Sequence, residues 1–232
     1  MPTGSSGRPH LRLPMAESAS FAEHTIGGVR LVLGRLDASA ALESFLTDEE
    51  RADALKFTHP SVRARRIVSR HLRRRLLSES TGRSGEELRF IDGEQAKPRL
   101  VDGEGWDFNT SHAGDFVAVC AAPFPVGVDI EEIRAVAEME RIVTRYFHAD
   151  ETAAWQALPP PARESGFFVL WSAREAAMKC AGLGLGSGMA ITRVNPAILN
   201  AQESSARVGE VEVNLLRLGA PPGYVLVVAA GL

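Results

Sequence analysis

Two seven-residue runs, FVAVCAA (116–122) and YVLVVAA (224–230), carry no charged side chain at all. A strand with one wet face alternates polar and apolar residues, so both of these strands must be covered on both faces. Each closes a stretch of similar order, in which a long helical segment is followed by shorter strands. That echo suggests an α+β fold of two similar lobes in a pseudo-twofold arrangement, each a small antiparallel sheet with packed helices. The lobes would meet near residue 126, and a ligand site is expected at their junction. The chain divides on this reading into a flexible N-terminal tail (1–22), an N-terminal lobe (23–125) and a C-terminal lobe (126–232).

Local signals fill in the lobes. GGVRLVLGRL (27–36) alternates and reads as a strand. In LTDEERADALKF, Thr47 followed three residues later by Glu50 is a capping-box signature opening a helix. VRARRIVSRHLRRRLLSES (62–80) is an amphipathic helix ending near Gly82. LRFI (88–91) and KPRLV (97–101) read as short strands. A charged helix is expected over 135–147 and another from Asp150. PPPARES breaks the chain before a helix over 167–182, and MAITRV (189–194) and VGEVEVNLLRL (208–218) read as strands.

Composition limits the function classes. A net charge of -3 leaves nucleic-acid binding to a local patch, not to the global field. No apolar run approaches the ~20 residues that span a bilayer, and the N-terminus has no apolar core of a secretory signal. Cys120 and Cys180 sit in apolar runs without a C-x-x-C pair, as reduced thiols of a cytoplasmic protein would.

The sharpest local question comes from GVDIEE (127–132), which follows the first apolar strand closely. In an extended strand Asp129 and Glu131 share one face, and Val128 and Ile130 the other. Two like charges near a core call for a positive partner. The helix FFVLWSAREAAMKCAG is apolar around most of its circumference, with Ser172, Glu175 and Lys179 together in one narrow sector. An exposed i,i+4 ion pair is the ordinary reading of Glu175 and Lys179, but this helix is too apolar for a solvated face. Arg174 points to the apolar side, where the sequence offers no account of it.

Seven arginines and no acid lie between Arg63 and Arg75. Arg63, Arg66, Arg70, Arg73 and Arg74 read as a solvated basic face. Arg65 instead lies on the stripe of Val68, Leu72 and Leu76, where a buried guanidinium requires a carboxylate or phosphate. Ser111 and His112 adjoin in a turn-rich segment but form no hydrolase arrangement, since no G-x-S-x-G elbow is present. GLGLGSG (182–188) follows a helix instead of preceding one, so it terminates a helix and does not cradle phosphate. Carboxylates without a Cys/His cluster indicate Mg2+ or Mn2+ completed by phosphate oxygens.

These segments resemble the 4′-phosphopantetheinyl transferases, of the long monomeric type that activates polyketide and nonribosomal peptide synthetases. GVDIE is similar to the family's metal motif, and WSAREAAMKCAGLGL to its W-S-x-K-E-A-x-x-K-x-x-G-x-G-L helix, with Arg174 in place of the usual lysine. FNTSHAGD, the Lys97–Pro98 pair, KFTHPSVRAR and RYFHADE resemble further family segments. The resemblance implies a holo-[acyl-carrier-protein] synthase that moves phosphopantetheine from coenzyme A to a carrier serine and releases adenosine 3′,5′-bisphosphate. Asp129, Glu131 and Glu175 would hold Mg2+, with Mn2+ as an alternative. Arg65, Lys97, Ser111, His112 and Lys179 would contact coenzyme A, and Lys179 would stabilise or protonate the leaving phosphate. The serine's proton would pass to Glu175 or to a water molecule. Acyl and peptidyl carrier proteins would be the partners of a monomer that engages neither nucleic acid nor membrane. Two rivals stand beside it: a nucleic-acid-binding protein using the arginine helix, which leaves GVDIE without a purpose, and a silent carrier-binding homologue, against which the three acids argue.

Overall fold

The computed structural model describes residues 21–91, 97–103 and 105–231. Residues 1–20 of the expected tail lie outside them, while Phe21 and Ala22 begin a strand. In chain order the elements are β1 (Phe21–Ile26), β2 (Val29–Arg35), α1 (Ser39–Leu42), α2 (Asp48–Leu55), α3 (Pro60–Thr81), β3 (Phe90–Ile91), β4 (Arg99–Leu100), β5 (Asp107–Ala113), β6 (Phe116–Ala122) and β7 (Val126–Glu132). Then follow α4 (Met139–Tyr146), α5 (Ala149–Gln156), α6 (Pro160–Cys180), α7 (Leu185–Gly188), β8 (Thr192–Val194), β9 (Glu203–Val208), β10 (Val211–Leu218) and β11 (Tyr224–Gly231). The strands build a four-stranded sheet in the order β1-β2-β6-β5, a five-stranded sheet in the order β7-β11-β10-β9-β8, and a small β3-β4 pair. Every pairing is antiparallel. The fold is α+β.

Most elements begin and end where local chemistry directs. Thr47 and Glu50 close a reciprocal capping box at the start of α2. Gly82, in the left-handed conformation at φ 70°, ends α3. Several expectations shift, among them the turn expected at Ser111 and His112, which is part of strand β5. Gly27 and Gly28, both at positive φ, form a hairpin turn and are not part of β2. PPPARES does not interrupt the chain, because Pro160 and Pro161 occupy the first turn of α6, where the missing amide has no partner to lose. Gly209, also at positive φ, folds the expected strand 208–218 into the β9–β10 hairpin. Residues 189–191 are a 3-10 turn, so only Thr192–Val194 of the expected MAITRV strand pairs.

Three apolar clusters explain why the two uncharged strands are dry on both faces. One face of the four-stranded sheet packs under α3 through Val117, Val119, Leu72 and Leu76. One face of the five-stranded sheet packs under α6 through Val225, Val227, Leu170 and Ala173. The opposite faces meet in a shared core that includes Ala118 and Cys120 of β6, Val128 and Ile130 of β7, and Leu226 and Val228 of β11. Both cysteines are buried and free, and burial pushes the Cys120 thiol up to about 12.

The join between the sheets is unusual in its bonding. β5 and β7 are edge strands that lie side by side without a backbone ladder. An edge strand presents unpaired amides, which must find partners when buried. Here β5 side chains supply them: Asp107 Oδ2 accepts from the Val126 amide (2.8 Å) and Asn109 Oδ1 from the Val128 amide (3.0 Å). Ser111 Oγ, the next residue on that face, donates to Asp129 Oδ1 (2.8 Å). The alternating D-x-N-x-S of β5 is thus a side-chain ladder that stitches the two sheets.

Candidate active site

Asp129 lies at this seam and is 2% exposed. Its Oδ1 accepts from Ser111 Oγ and from Lys179 Nζ, at 2.8 and 2.5 Å. Its Oδ2 is buried and has no hydrogen-bond partner among the described residues. β7 has the parity expected of it, with Val128 and Ile130 buried in the shared core and Asp129 turned to the helix side. Glu131 follows on the face of Asp129, while Glu132 is exposed.

Helix α6 supplies the other half of the site. Lys179 Nζ reaches Asp129, Ser111 Oγ (3.2 Å) and the Val128 carbonyl (3.4 Å), and forms an ion pair with Glu175 Oε2 (3.4 Å). The Trp171 indole donates to Glu175 Oε1 (2.8 Å) and stacks on Phe167, fixing that carboxylate from its own helix. The Glu175–Lys179 pair is therefore the inward-facing pair that the helix's apolarity required, and not a solvated one. Ser172, in the same sector by sequence, is fully buried, and its hydroxyl has no partner among the described residues.

The electrostatics follow from this crowding. Burial, then the charges of Asp129 and Glu175, push the Glu131 carboxyl up to about 7. Burial and Asp129 likewise raise Glu175. For Lys179 burial works against the charged form, but Asp129 and Glu175 outweigh it and hold its pKa above the ordinary lysine value. Among the described residues no three His, Cys, Asp or Glu side chains already form a closed cage for an ion. The donor set nevertheless fits a hard divalent cation: it is all oxygen, it carries excess negative charge, and Asp129 Oδ2 is a buried acceptor with no donor among the described residues.

Gly127 explains how closely the two halves of the site approach. A Cβ there would lie 2.1 Å from the Ala176 carbonyl oxygen and 2.5 Å from the Cys180 amide nitrogen. Only glycine lets the backbone of α6 rest directly on β7, which sets Lys179 within reach of Asp129. Sequence reading passed over Gly127, Trp171, Asp107 and Asn109. The period-two pattern of β5 was the available signal for the last two.

The other expected residues lie around this centre. Arg65 on α3 is partly buried, and its Nε has no hydrogen-bond partner among the described residues. His112 stands beside it: close packing, then the Arg65 charge, lower the imidazole's pKa. Strand parity turns Ser111 toward β7 and His112 toward the α3 side. Lys97 Nζ binds Asp107 Oδ2 and the Val126 carbonyl, at the far end of the same seam.

Of the solvated basic face expected on α3, only Arg66 is exposed. Arg70 binds Asp53 Oδ2 (2.5 Å), Arg66 the same oxygen (3.3 Å), and Arg74 binds Glu50 (2.8 Å). Arg63 donates to the Phe57 carbonyl, Arg73 lies 3.8 Å over the Phe90 ring, and Arg75 pairs with Glu23 and Glu79. The acids of α2 and neighbouring carbonyls and rings take up most of these charges.

Comparison with known proteins decides the family. A model of the 4′-phosphopantetheinyl transferase superfamily matches residues 125–224. A second, for the N-terminal part of 4′-phosphopantetheinyl transferase, matches residues 37–124, so the two run on from each other. The chain belongs to the 4′-phosphopantetheinyl transferases. Among its relatives, 4′-phosphopantetheinyl transferase psf-1 of Bacillus pumilus is 33% identical over 148 residues, covering 64% of this chain and 63% of that one. Sfp of Bacillus subtilis is 29% identical over 142 residues, covering 61% of this chain and 62% of Sfp. HetI of Nostoc sp. is 29% identical over 167 residues, covering 68% and 70%. The alignments thus span less than two thirds of psf-1 and of Sfp. No helix among the described residues of this transferase family member is long and apolar enough to cross a membrane.

Proposed function

We propose that this protein transfers the 4′-phosphopantetheine group of coenzyme A to a serine of an acyl or peptidyl carrier protein, releasing adenosine 3′,5′-bisphosphate. The observation that carries the reading is the buried, unpartnered Asp129 Oδ2 beside Lys179, in a chain of this family. Asp129, Glu131 and Glu175 would hold Mg2+, or Mn2+ in its place. When bound, the ion supplies charge neutralisation to the pyrophosphate during displacement.

The chain's own groups account for the remaining steps. The carrier serine's oxygen bonds to the phosphorus that bears pantetheine, and the bond from that phosphorus to the bridging oxygen breaks. The electron pair leaves on adenosine 3′,5′-bisphosphate. Lys179, whose ammonium is kept charged by its two carboxylates, hydrogen-bonds or protonates the departing phosphate oxygen. The Trp171 indole and the Ser111 hydroxyl hold Glu175 and Asp129 in place by donating hydrogen bonds to them. Each Glu175 oxygen faces one donor, Trp171 or Lys179, and keeps a second lone pair, so the serine proton passes to Glu175 or to a water molecule. Arg65 and His112, adjacent and outside the acidic cluster, suit the 3′-phosphate of coenzyme A.

Two variants probe this arrangement. Arg65→Ala should raise the KM for coenzyme A by roughly 10- to 150-fold, the scale of one charge-assisted hydrogen bond, with little change in carrier KM. Unchanged coenzyme A kinetics would give Arg65 a structural role instead. Gly127→Ala forces α6 away from β7. A displacement near 1 Å at a reacting site costs about 100-fold in kcat, and overpacking adds about 1–3 kcal/mol of destabilisation. Steady-state kinetics and thermal unfolding of this variant check both. Wild-type kcat in Gly127→Ala would mean that the contact does not set the site. The function itself is tested by intact mass of an apo-carrier protein incubated with the enzyme, coenzyme A and Mg2+. Modification by one phosphopantetheine group is expected, and an unmodified carrier would refute the reading.

A further inference from the structure

The acids at the seam are more numerous than the site's single cation can balance. Asp129, Glu131 and Glu175 together carry three negative charges when ionised, and among the described residues Lys179 is the base paired with them, touching Asp129 at 2.5 Å and Glu175 at 3.4 Å. Neither β7 nor the inward sector of α6 offers a second base. Arg134, the nearest basic residue along the chain after β7, is exposed, and its charge acts on Glu131 less than that of Lys179. Arg65 stands instead beside His112. Lys179 is also locked by three neutral or anionic acceptors at once, Asp129 Oδ1, Ser111 Oγ and the Val128 carbonyl. A side chain needed only for a passing contact with a leaving group has no reason to be anchored on both elements of the site.

We infer that Lys179 is a resident counter-ion of the acidic cluster, which keeps β7 and α6 together without metal and weakens the cluster's affinity for a divalent cation. The inference rests on the proposed metal-site reading but adds to it a role in the free protein. Two consequences have opposite signs. Without Lys179 the three acids repel across the β7–α6 contact, and the metal-free protein is less stable. The same loss deepens the negative potential at Asp129 Oδ2, so a divalent ion binds more tightly. A lysine that merely shaped the site would, on removal, weaken both.

The probe is Mn2+ alone, followed by electron paramagnetic resonance or calorimetry on the full chain without coenzyme A. Removing a unit charge a few ångströms from a divalent ion at an effective dielectric of about 20 amounts to tenfold or more in affinity. Lys179→Met should therefore bind Mn2+ at least about tenfold more tightly than wild type. In chelator its thermal midpoint should fall below wild type, and the double variant Lys179→Met/Asp129→Asn should recover most of that loss. Unchanged or weaker Mn2+ binding in Lys179→Met, with wild-type binding intact, overturns the inference on affinity and leaves the metal site standing. No Mn2+ binding by wild type refutes the metal reading and the affinity half of the inference with it. The chelator series still decides the counter-ion role. No midpoint loss in Lys179→Met, or no recovery in the double variant, overturns it.

Discussion

Asp129→Ala will lower kcat/KM for carrier modification by at least about 10²–10³, the scale of removing one preorganised electrostatic group. The residue combines features that no other carboxylate of the seam has. It is almost wholly buried, one oxygen is held by Ser111 and Lys179, and the other has no partner among the described residues. Its removal takes away the acceptor and also frees Lys179 from its closest anchor. Glu131→Ala should be impaired less, because water can enter where a partly exposed carboxylate was. Glu132→Ala is the internal control: it is exposed on the opposite strand face and should stay within about twofold of wild type. The three variants in one kinetic series decide the matter. Equal losses at positions 129 and 132 would contradict the register of β7.

The largest stability effect is expected at Arg174. Arg174 and Glu151 are each 0% exposed and paired. Glu151 also caps α5 by accepting from the His148 amide (3.2 Å), and it accepts from the Val194 amide of β8 (2.6 Å). Arg174 donates to the carbonyls of Thr192 and Met189 and lies 5.3 Å over the Phe147 ring. One guanidinium thus ties α5, α6 and β8 together behind Glu175. Arg174→Met leaves the Glu151 charge buried without a counter-charge, which costs about 3–5 kcal/mol. That is a large share of the roughly 5–15 kcal/mol by which a domain is stable, so Arg174→Met is expected to express poorly. The double variant Arg174→Met/Glu151→Gln should be more stable than Arg174→Met alone, because it removes the orphaned charge. Denaturant midpoints of the three proteins test this. A single variant within about 1 kcal/mol of wild type would mean that the pair is not coupled.

How much of this was legible in the sequence depended on whether the governing contact was local. The parity of GVDIEE, the capping box of Thr47 and Glu50, and the buried sector of Glu175 and Lys179 are set by strand and helix periods, and all three stand in the structure. Arg174 could be seen to point inward but not to meet Glu151, which is 23 residues away in the chain. The same limit misjudged the arginine face of α3. Periodicity placed those side chains on one side correctly, but the acids that cover them, Glu50 and Asp53, come from another helix. Gly127 carried no signal of its own, because its φ is ordinary and its need for a hydrogen side chain arises only when α6 packs on it. Asp107 and Asn109 showed only the period-two pattern of β5, since their partners are amides of a strand edge that exists only once the two sheets meet.

If the β7–α6 seam performs phosphopantetheine transfer, product stoichiometry must show it. Wild-type protein, coenzyme A, Mg2+ and an apo-carrier are combined, and modified carrier and adenosine 3′,5′-bisphosphate are quantified from the same reaction. Equal amounts of the two products are expected, with both abolished by chelator and both reduced by at least about 100-fold in Asp129→Ala. Nucleotide release without carrier modification, or full modification by Asp129→Ala, would contradict it.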